Sequence, residues 1–125
     1  MASRLFQFRY SYERDLCDIQ AKISIGAAGA PTLSLAKGIV SMVRNSAGNY
    51  TINLKDQFYL LTKVDVDYIS GASAPAAPRM NIVSEQVNNA SPSLIIQCRD
   101  ASGVVTDPAN GEVMLLHIQC RSSST

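Results

Sequence analysis

The sequence predicts an all-β protein: an antiparallel β-sandwich, with a jelly roll as one form it could take, preceded by an extended N-terminal arm. Two observations predict the fold class. Apolar and polar residues alternate with a period of two along most of the chain, and the alternating runs are short and end at Gly, Pro, Asn, Asp or Ser. A third observation, the concentration of aromatic residues near the N-terminus, sets residues 1–14 apart. We therefore expect an arm over residues 1–14 and a single sandwich domain over residues 15–125.

The composition fits one soluble domain without a nucleic-acid or membrane partner. The chain has 125 residues, of which 46% are hydrophobic, so it can bury a single core. Its formal net charge is +1, with acidic and basic residues interleaved, which leaves no broad basic surface for a nucleic acid. No run approaches the roughly 20 apolar residues of a membrane-spanning helix. Arg4 and Arg9 interrupt the apolar stretch that a secretory signal would need.

The first half of the domain is predicted to contain three strands. Residues 17–25 alternate and are followed by a Gly- and Pro-containing segment, residues 26–31, which ends the strand. Residues 39–44 and 50–54 are rich in β-branched side chains. The link between them, residues 45–49, is short and contains a glycine, which predicts a hairpin.

A turn and a fourth strand are predicted next. Residues 55–61 cluster their apolar side chains without alternation, so we expect a connecting turn or a single helical turn packed under the sheet. Residues 63–69 alternate cleanly. Val64, Val66 and Tyr68 are predicted to face the core, and the charged side chains between them are predicted to face solvent.

The second half is predicted to contain three more strands and two long connections. Residues 71–78 are small side chains with two prolines, which cannot pair inside a sheet and predict a surface loop. Residues 80–87, 93–99 and 112–121 supply the strands. Residues 100–111 contain two separate turn signals, and we expect this link to protrude.

No constellation in the sequence predicts catalysis, a metal site or a cofactor. His117 is the only histidine, so any histidine-based catalytic site would depend on it alone. Its place in an alternating strand predicts instead an edge or half-buried histidine bonded to a neighbour. Asp65 and Asp67 share one strand face and are expected to be a solvated pair rather than part of a calcium site. Asp107 is expected to serve a turn.

The cysteines predict neither a disulfide framework nor a zinc site. There are three of them, Cys17, Cys98 and Cys120, and their spacings of 81 and 22 residues match no zinc pattern. We expect reduced thiols that are mostly buried, consistent with synthesis in a cytoplasm.

The N-terminal arm is the most unusual segment of the sequence. It holds four of the chain's eight aromatic residues within its first twelve positions, all on one face if residues 5–12 are extended. These four are Phe6, Phe8, Tyr10 and Tyr12. Two interpretations are open: the arm is an ordinary first strand that completes the core of its own domain, or it reaches a neighbouring subunit.

Several segments together resemble small virion structural proteins of tailed bacteriophages. Residues 37–44 (KGIVSMVR) and 48–56 (GNYTINLKD) carry the first part of the resemblance. Residues 76–78 (AAP), 91–100 (SPSLIIQCRD) and 106–112 (TDPANGE) follow in the order expected for such proteins. The similarity covers residues 37–121 approximately, and the arm is less clearly included.

The resemblance implies a non-enzymatic structural part of a phage particle, and the short β-rich chain favours a capsid decoration or cement protein. Such a protein binds at seams between major capsid subunits, and its partners would be the major capsid protein and further copies of itself. It would be made in the cytoplasm of the host bacterium and located on the capsid surface. The predicted partner-binding residues lie in the arm, in the loop over residues 71–78 and in the link over residues 100–111: Leu5, Phe6, Phe8, Tyr10, Tyr12, Ala74, Pro75, Pro78, Val104, Asp107 and Pro108.

Other functions remain open at this point. The chain could be a neck, tail or fibre adaptor of the virion, which copy number would distinguish from a decoration protein. It could be a host-surface binding module, although its loops carry Ala, Ser, Pro and Gly rather than the aromatic residues that such sites display. An enzyme is the least favoured, because acid-base catalysis would need a tuned carboxylate pair or the lone histidine.

Overall fold

The computed structural model describes residues 16–69, 79–100 and 102–121, which form the predicted β-sandwich. Two antiparallel sheets of four strands pack face to face, and the only helical segment among the described residues is one turn of 3-10 helix, Ala27–Gly29. The predicted arm and the predicted loop over residues 71–78 lie outside the described residues. The strands are β1 Leu16–Ile25, β2 Pro31–Ala36, β3 Ile39–Ser46, β4 Asn49–Leu54, β5 Leu60–Ile69, β6 Arg79–Gln86, β7 Ser93–Arg99 and β8 Val113–Arg121.

The strand order places the first and last strands side by side. One sheet, here called the β1/β8 sheet, has the order β2-β1-β8-β5, and the other, the β4/β7 sheet, has the order β3-β4-β7-β6. Cys17 of β1 lies directly opposite Cys120 of β8. Three pairs of consecutive strands, β1-β2, β3-β4 and β6-β7, are hairpins within one sheet. This strand order, with three hairpins inside single sheets, differs from that of a jelly roll, which the sequence left open as one form of the sandwich.

A single core lies between the two sheets. The four central strands bury alternate side chains, as the period-two pattern predicts. Tyr50 of β4 is the largest fully buried side chain in the described part of the chain. The other buried side chains of the central strands are Ile19, Ala21, Ile23, Ile25, Ile52, Leu54, Leu94, Ile96, Cys98, Met114, Leu116, Ile118 and Cys120.

Edge and central strands pair differently. The central pairs β1-β8 and β4-β7 keep a continuous register. The four pairs that join an edge strand to its neighbour each contain a register shift, for example between Leu61 and Lys63 in β5 and between Ile82 and Ser84 in β6. Bulges of this kind increase local twist and discourage uncontrolled pairing of edges.

Two elements differ from the sequence prediction. Strand β2 was not predicted, because it starts with Pro31 and lies between two glycine-containing turns; an edge strand tolerates a proline at its first position. Strand β5 starts at Leu60 rather than Lys63, so that only residues 55–59 form the expected connecting turn. The other strands agree with the prediction to within two residues.

The connections lie at the two ends of the sandwich. One end, here called the loop end, holds the 3-10 turn, the β3-β4 turn, the link from Arg99 to Val113, and the residues that flank residues 70–78, Ile69 and Arg79. The opposite end, the terminal end, holds Leu16, Arg121 and the turn over residues 55–59. Because the ten residues of β1 span roughly 33 Å, the point where the arm joins the domain is far from both predicted loop surfaces.

Candidate assembly surfaces

The structure describes three of the predicted partner-binding residues. Val104 is exposed, with 59% of its surface accessible. Asp107 is part of a hydrogen-bond network inside the domain, and Pro108 is buried. The remaining eight, Leu5, Phe6, Phe8, Tyr10, Tyr12, Ala74, Pro75 and Pro78, lie outside the described residues.

The carboxylate of Asp107 joins three parts of the loop end. Arg44 donates to it through Nε, at 3.0 Å from Oδ1 and 3.1 Å from Oδ2, and through Nη2 at 2.8 Å from Oδ2. The backbone N–H of Gly48 donates to Oδ1 at 2.7 Å. The hydroxyl of buried Tyr50 lies 3.0 Å from Oδ1 and 2.8 Å from the carbonyl oxygen of Gly29. We call this arrangement the Asp107 latch.

Two glycines allow the chain segments of the latch to approach each other. Gly48 has φ +76°, and a Cβ atom there would lie 2.7 Å from Val105 and 2.8 Å from the carbonyl oxygen of Cys98. Gly29 has φ +75°, and a Cβ atom would lie 2.4 Å from Cγ of Asp107. Neither position can accept a side chain without displacing the link.

The charges of the latch stabilise each other. Partial burial of Asp107 would raise its pKa, but the hydrogen bonds from Arg44, Gly48 and Tyr50 outweigh this effect, so the pKa lies below its ordinary value of 3.8. The hydrogen bond to Asp107 raises the pKa of Arg44. Burial, and then the bond to Asp107, raise the pKa of the Tyr50 hydroxyl. The carboxylate is therefore ionised at neutral pH and fully engaged within the domain.

The link between β7 and β8 consequently does not protrude as the sequence predicted. Val105 pairs with Arg99, and the N–H of Thr106 donates to the carbonyl oxygen of Cys98 at 3.0 Å. Partner binding by Asp107 and Pro108 stays a prediction: within the domain, the carboxylate of Asp107 is bonded to Arg44 and Pro108 is buried. Val104 is the one of the three that is exposed.

Exposed aliphatic side chains lie mainly on the edge strands. Nine large hydrophobic residues are exposed among the described residues, and six of them belong to the four edge strands, with at least one on each. The remaining three are Tyr59, Val104 and Leu115. Those on the edges are Leu35 of β2, Val40 and Val43 of β3, Ile69 of β5, and Ile82 and Val83 of β6.

The outer faces of the two sheets differ in charge. On the β1/β8 sheet, His117 lies 3.1 Å from Asp18 and faces Asp65 of β5, and Lys63 pairs with Asp65 at 3.0 Å. This agrees with the predicted half-buried histidine bonded to a neighbour. A shallow groove beside it is lined by residues that include Lys22, Asp67, Leu115 and His117.

Apart from the register positions of Arg79 and Arg99 at the loop end, the outer face of the β4/β7 sheet is mainly polar and uncharged. Its polar side chains bond to each other across strands, as in the pairs Asn53–Ser41 at 2.9 Å and Gln97–Asn49 at 3.1 Å. Arg99 joins this network at the loop end through Gln97. A sheet face with little charge loses little solvation energy when a partner covers it.

One side of the sandwich is less closed than the other, and we call it the β5/β6 seam. Strands β5 and β6 are the facing edges of the two sheets and do not pair with each other. Their inward side chains pack against the core but stay partly exposed: Leu61, Val64, Val66 and Tyr68 of β5 and Met80 of β6. On the opposite side, the inward residues Ile39 and Met42 of edge strand β3 are buried.

The described residues offer little to metal or thiol chemistry. No three His, Cys, Asp or Glu side chains among them come together in a group that could hold a metal ion. Cys98 and Cys120 are buried and Cys17 is half-buried, all as free thiols. Burial, and then the neighbouring Cys17, raise the pKa of Cys120 to about 12, so this thiol stays protonated and unreactive at neutral pH.

No helix in the described part of the chain has the length and hydropathy needed to cross a membrane.

Comparison with family models, with curated proteins and with solved structures finds no match for this chain.

Proposed function

We propose that this chain is a non-enzymatic structural protein of a tailed-phage virion, a capsid decoration or cement protein that binds at seams between major capsid subunits. The observation that carries the proposal is the exposure of large aliphatic side chains on all four edge strands. The resemblance of residues 37–121 to small virion proteins supports the virion as the place of assembly.

The edges of soluble β-proteins usually carry features that prevent pairing with other chains, such as charges, prolines and bulges. This sandwich has bulges, a proline at the start of β2 and charged side chains on β5. Val83, Val40 and Leu35 are nevertheless each more than half exposed on its edge strands. Such side chains favour contact with other proteins. Their distribution over four edges gives one molecule several weak contact sites, which suits a protein that fits between repeated capsid subunits and gains affinity from multivalency.

The interior of the domain supports the same role. The Asp107 latch fixes the long link between β7 and β8 against the β3-β4 hairpin, which leaves Val104 exposed on an ordered segment. A preordered surface loses less conformational entropy on binding than a mobile loop does. The domain therefore presents fixed surfaces to a capsid, and the arm is the part of the chain that reaches a neighbouring subunit.

Purified virions of the phage that encodes the chain test the location. Quantitative mass spectrometry should find hundreds of copies per particle for a decoration protein, because capsid symmetry repeats the binding site. About a dozen copies would assign the chain to a neck or tail ring instead. Absence from the particle would contradict a virion role altogether.

Variants of the arm test its contribution. Phe6→Ser combined with Phe8→Ser should reduce incorporation into particles at least tenfold while the isolated domain keeps its melting temperature. The matched control is Gln7→Ser combined with Ser11→Ala, which changes the opposite face of the same segment and should retain most of the incorporation. Loss of folding in the aromatic double variant would show that the arm completes the core of its own domain.

A further inference from the structure

We propose that the β5/β6 seam of one copy is the acceptor for the aromatic arm of a second copy, with residues 5–12 adding to the open edge of β5. This inference rests on the proposed assembly role and names the partner surface for it. The occupant is the arm of another molecule of the same chain.

Among the described residues, the inward side chains of β5 leave apolar surface of the seam uncovered. Val64, Val66 and Tyr68 occupy successive inward positions of β5, and each is only partly buried although it packs against the core. The corresponding inward side chains of edge strand β3 are already buried. Strand β2 has six residues and begins with a proline, so it offers a shorter edge than the ten residues of β5.

The arm has the length and pattern that this edge requires. Eight extended residues span roughly 26 Å, and β5 spans roughly 33 Å, so the segment fits along it. A strand that adds to β5 with Phe6, Phe8, Tyr10 and Tyr12 turned inward would place its rings over the half-exposed side chains of the seam. Backbone hydrogen bonds would provide affinity, and the alternate aromatic residues would set the register.

Charge complementarity favours the same edge. With the aromatic rings inward, Arg9 of the arm lies on the outward side, beside the outer face of β5. That face carries Asp65 and Asp67, both exposed, and Asp67 takes part in no ion pair among the described residues. An arginine opposite a carboxylate on adjacent strands is a favourable cross-strand pair.

The reach of the chain favours a second copy over the arm of the same copy. Leu16 begins β1, which is separated from β5 by β8, so an arm on the far edge of β5 lies three strand spacings from β1, roughly 14 Å. The chain from Tyr12 to Leu16 has four steps and spans at most roughly 14 Å when fully extended. An arm that folded back onto the same molecule would need a fully extended connection between Tyr12 and Leu16. Binding to a second molecule does not impose this requirement.

Disulfide trapping between two variants of the full chain tests this assignment. Both proteins carry Cys17→Ser to remove the half-buried thiol; one adds Phe8→Cys, and the other adds Val66→Cys and a size tag. The two are mixed at high concentration, oxidised with copper-phenanthroline and separated on a non-reducing gel. We expect a mixed dimer at a yield at least tenfold above two controls, Gln7→Cys with Val66→Cys and Phe8→Cys with Leu35→Cys.

Equal yields in all three mixtures would overturn the proposal. It would also fail if a chain carrying both Phe8→Cys and Val66→Cys formed an internal bond while the mixture gave no dimer, because the arm would then occupy its own seam. The outcome is independent of particle location. Absence of the mixed dimer together with hundreds of copies per virion would reject the seam as acceptor and keep the proposed function. A mixed dimer together with absence of the chain from virions would keep the seam as acceptor and reject the proposed function.

Discussion

Among the described residues, Asp107 connects the link between β7 and β8 to the β3-β4 hairpin and to the 3-10 turn. Its partners Arg44, Gly48 and Tyr50 precede it in sequence by more than 50 positions, and Gly29 lies against it from a fourth segment. Its side chain is 19% exposed, so little water is available to replace these bonds. The loss of its charge should therefore affect the stability of the whole loop end.

Asp107→Asn is expected to lower the free energy of unfolding by about 2 kcal/mol, because the amide NH2 group that replaces Oδ2 cannot accept from Nη2 of Arg44 and the ion pair is lost. Urea denaturation at pH 7 measures the change. The matched control is Asp56→Asn, an exposed aspartate in the turn over residues 55–59, which should stay within about 0.5 kcal/mol of the wild type. Equal effects of both variants would contradict a stabilising role of the latch.

The contribution of the latch should depend on pH with a defined sign. The pKa of Asp107 is lower in the folded than in the unfolded chain, so the carboxylate stabilises the fold fully above its ordinary pKa of 3.8. The contribution is lost as pH falls below that value towards the lower folded pKa. The stability difference between the wild type and Asp107→Asn should thus be constant from pH 7 to about 5 and shrink below about 4.

The sequence predicted the chemistry of Asp107 only in part. A motif of Asp, Pro, Asn and Gly indicates a turn, and the segment does form one, but local patterns carry no information about a partner 63 residues away. The prediction for His117 was closer. Alternation places it on the same face as Leu115 and Gln119, and Asp18 on the neighbouring strand β1 is the residue bonded to it.

At the scale of elements, hydrophobic alternation predicted most of the strands correctly and failed where an edge strand breaks the pattern. Val64, Val66 and Tyr68 turn inward as expected, because a half-buried strand must alternate. In β2 a bulge disturbs the alternation, so that Leu33 faces the core while Leu35 is exposed two positions later. A strand of six residues with a bulge and a leading proline leaves too few regular positions for recognition.

The β3-β4 hairpin requires glycine at position 48 for two reasons: the left-handed backbone there and the close approach of the link. Gly48→Ala should destabilise the protein by about 3 kcal/mol, because the left-handed backbone costs about 1 kcal/mol and the added methyl collides with Val105 and the backbone of the link. Gly111→Ala is the matched control. Its φ of +91° is also left-handed, but a Cβ atom there meets nothing within 4 Å. Gly111→Ala should lose only the stability that the left-handed backbone costs, about 1 kcal/mol, and differential scanning calorimetry can resolve the difference between the two variants.

If both alanine variants lost the same stability, backbone strain alone would explain the glycine at position 48, and the close packing of the link against the hairpin would contribute nothing. A larger loss at Gly48 assigns the difference to that packing. The comparison measures the contact between the turn and residues 105–106 separately from the turn conformation.

For the whole molecule, the sequence predicted two layers but not the strand order. Alternation determines which face of each strand is buried and gives no information about its neighbours. The pairing of β1 with β8 joins positions about 100 residues apart, and β4-β7 and β5-β8 also join strands that are not consecutive. Only the other three pairs are hairpins. The asymmetry between a charged and a mainly uncharged outer face also becomes visible only when the strands are assembled.

The final prediction concerns the arm as part of the whole molecule. The described strands enclose one core between β1, β8, β4 and β7, so a chain that starts at residue 16 should unfold cooperatively with a melting temperature within a few degrees of the full chain. If the four aromatic rings instead completed this core, their loss would remove up to about 5 kcal/mol each, at roughly 200 Å² and 25 cal/mol/Å² per ring. No domain of this size would survive such a loss.

Calorimetry gives the melting temperature and sedimentation velocity gives the association state. A stable, cooperative chain that has lost its self-association would assign the arm to contacts between molecules, whereas an unfolded one would assign it to its own core.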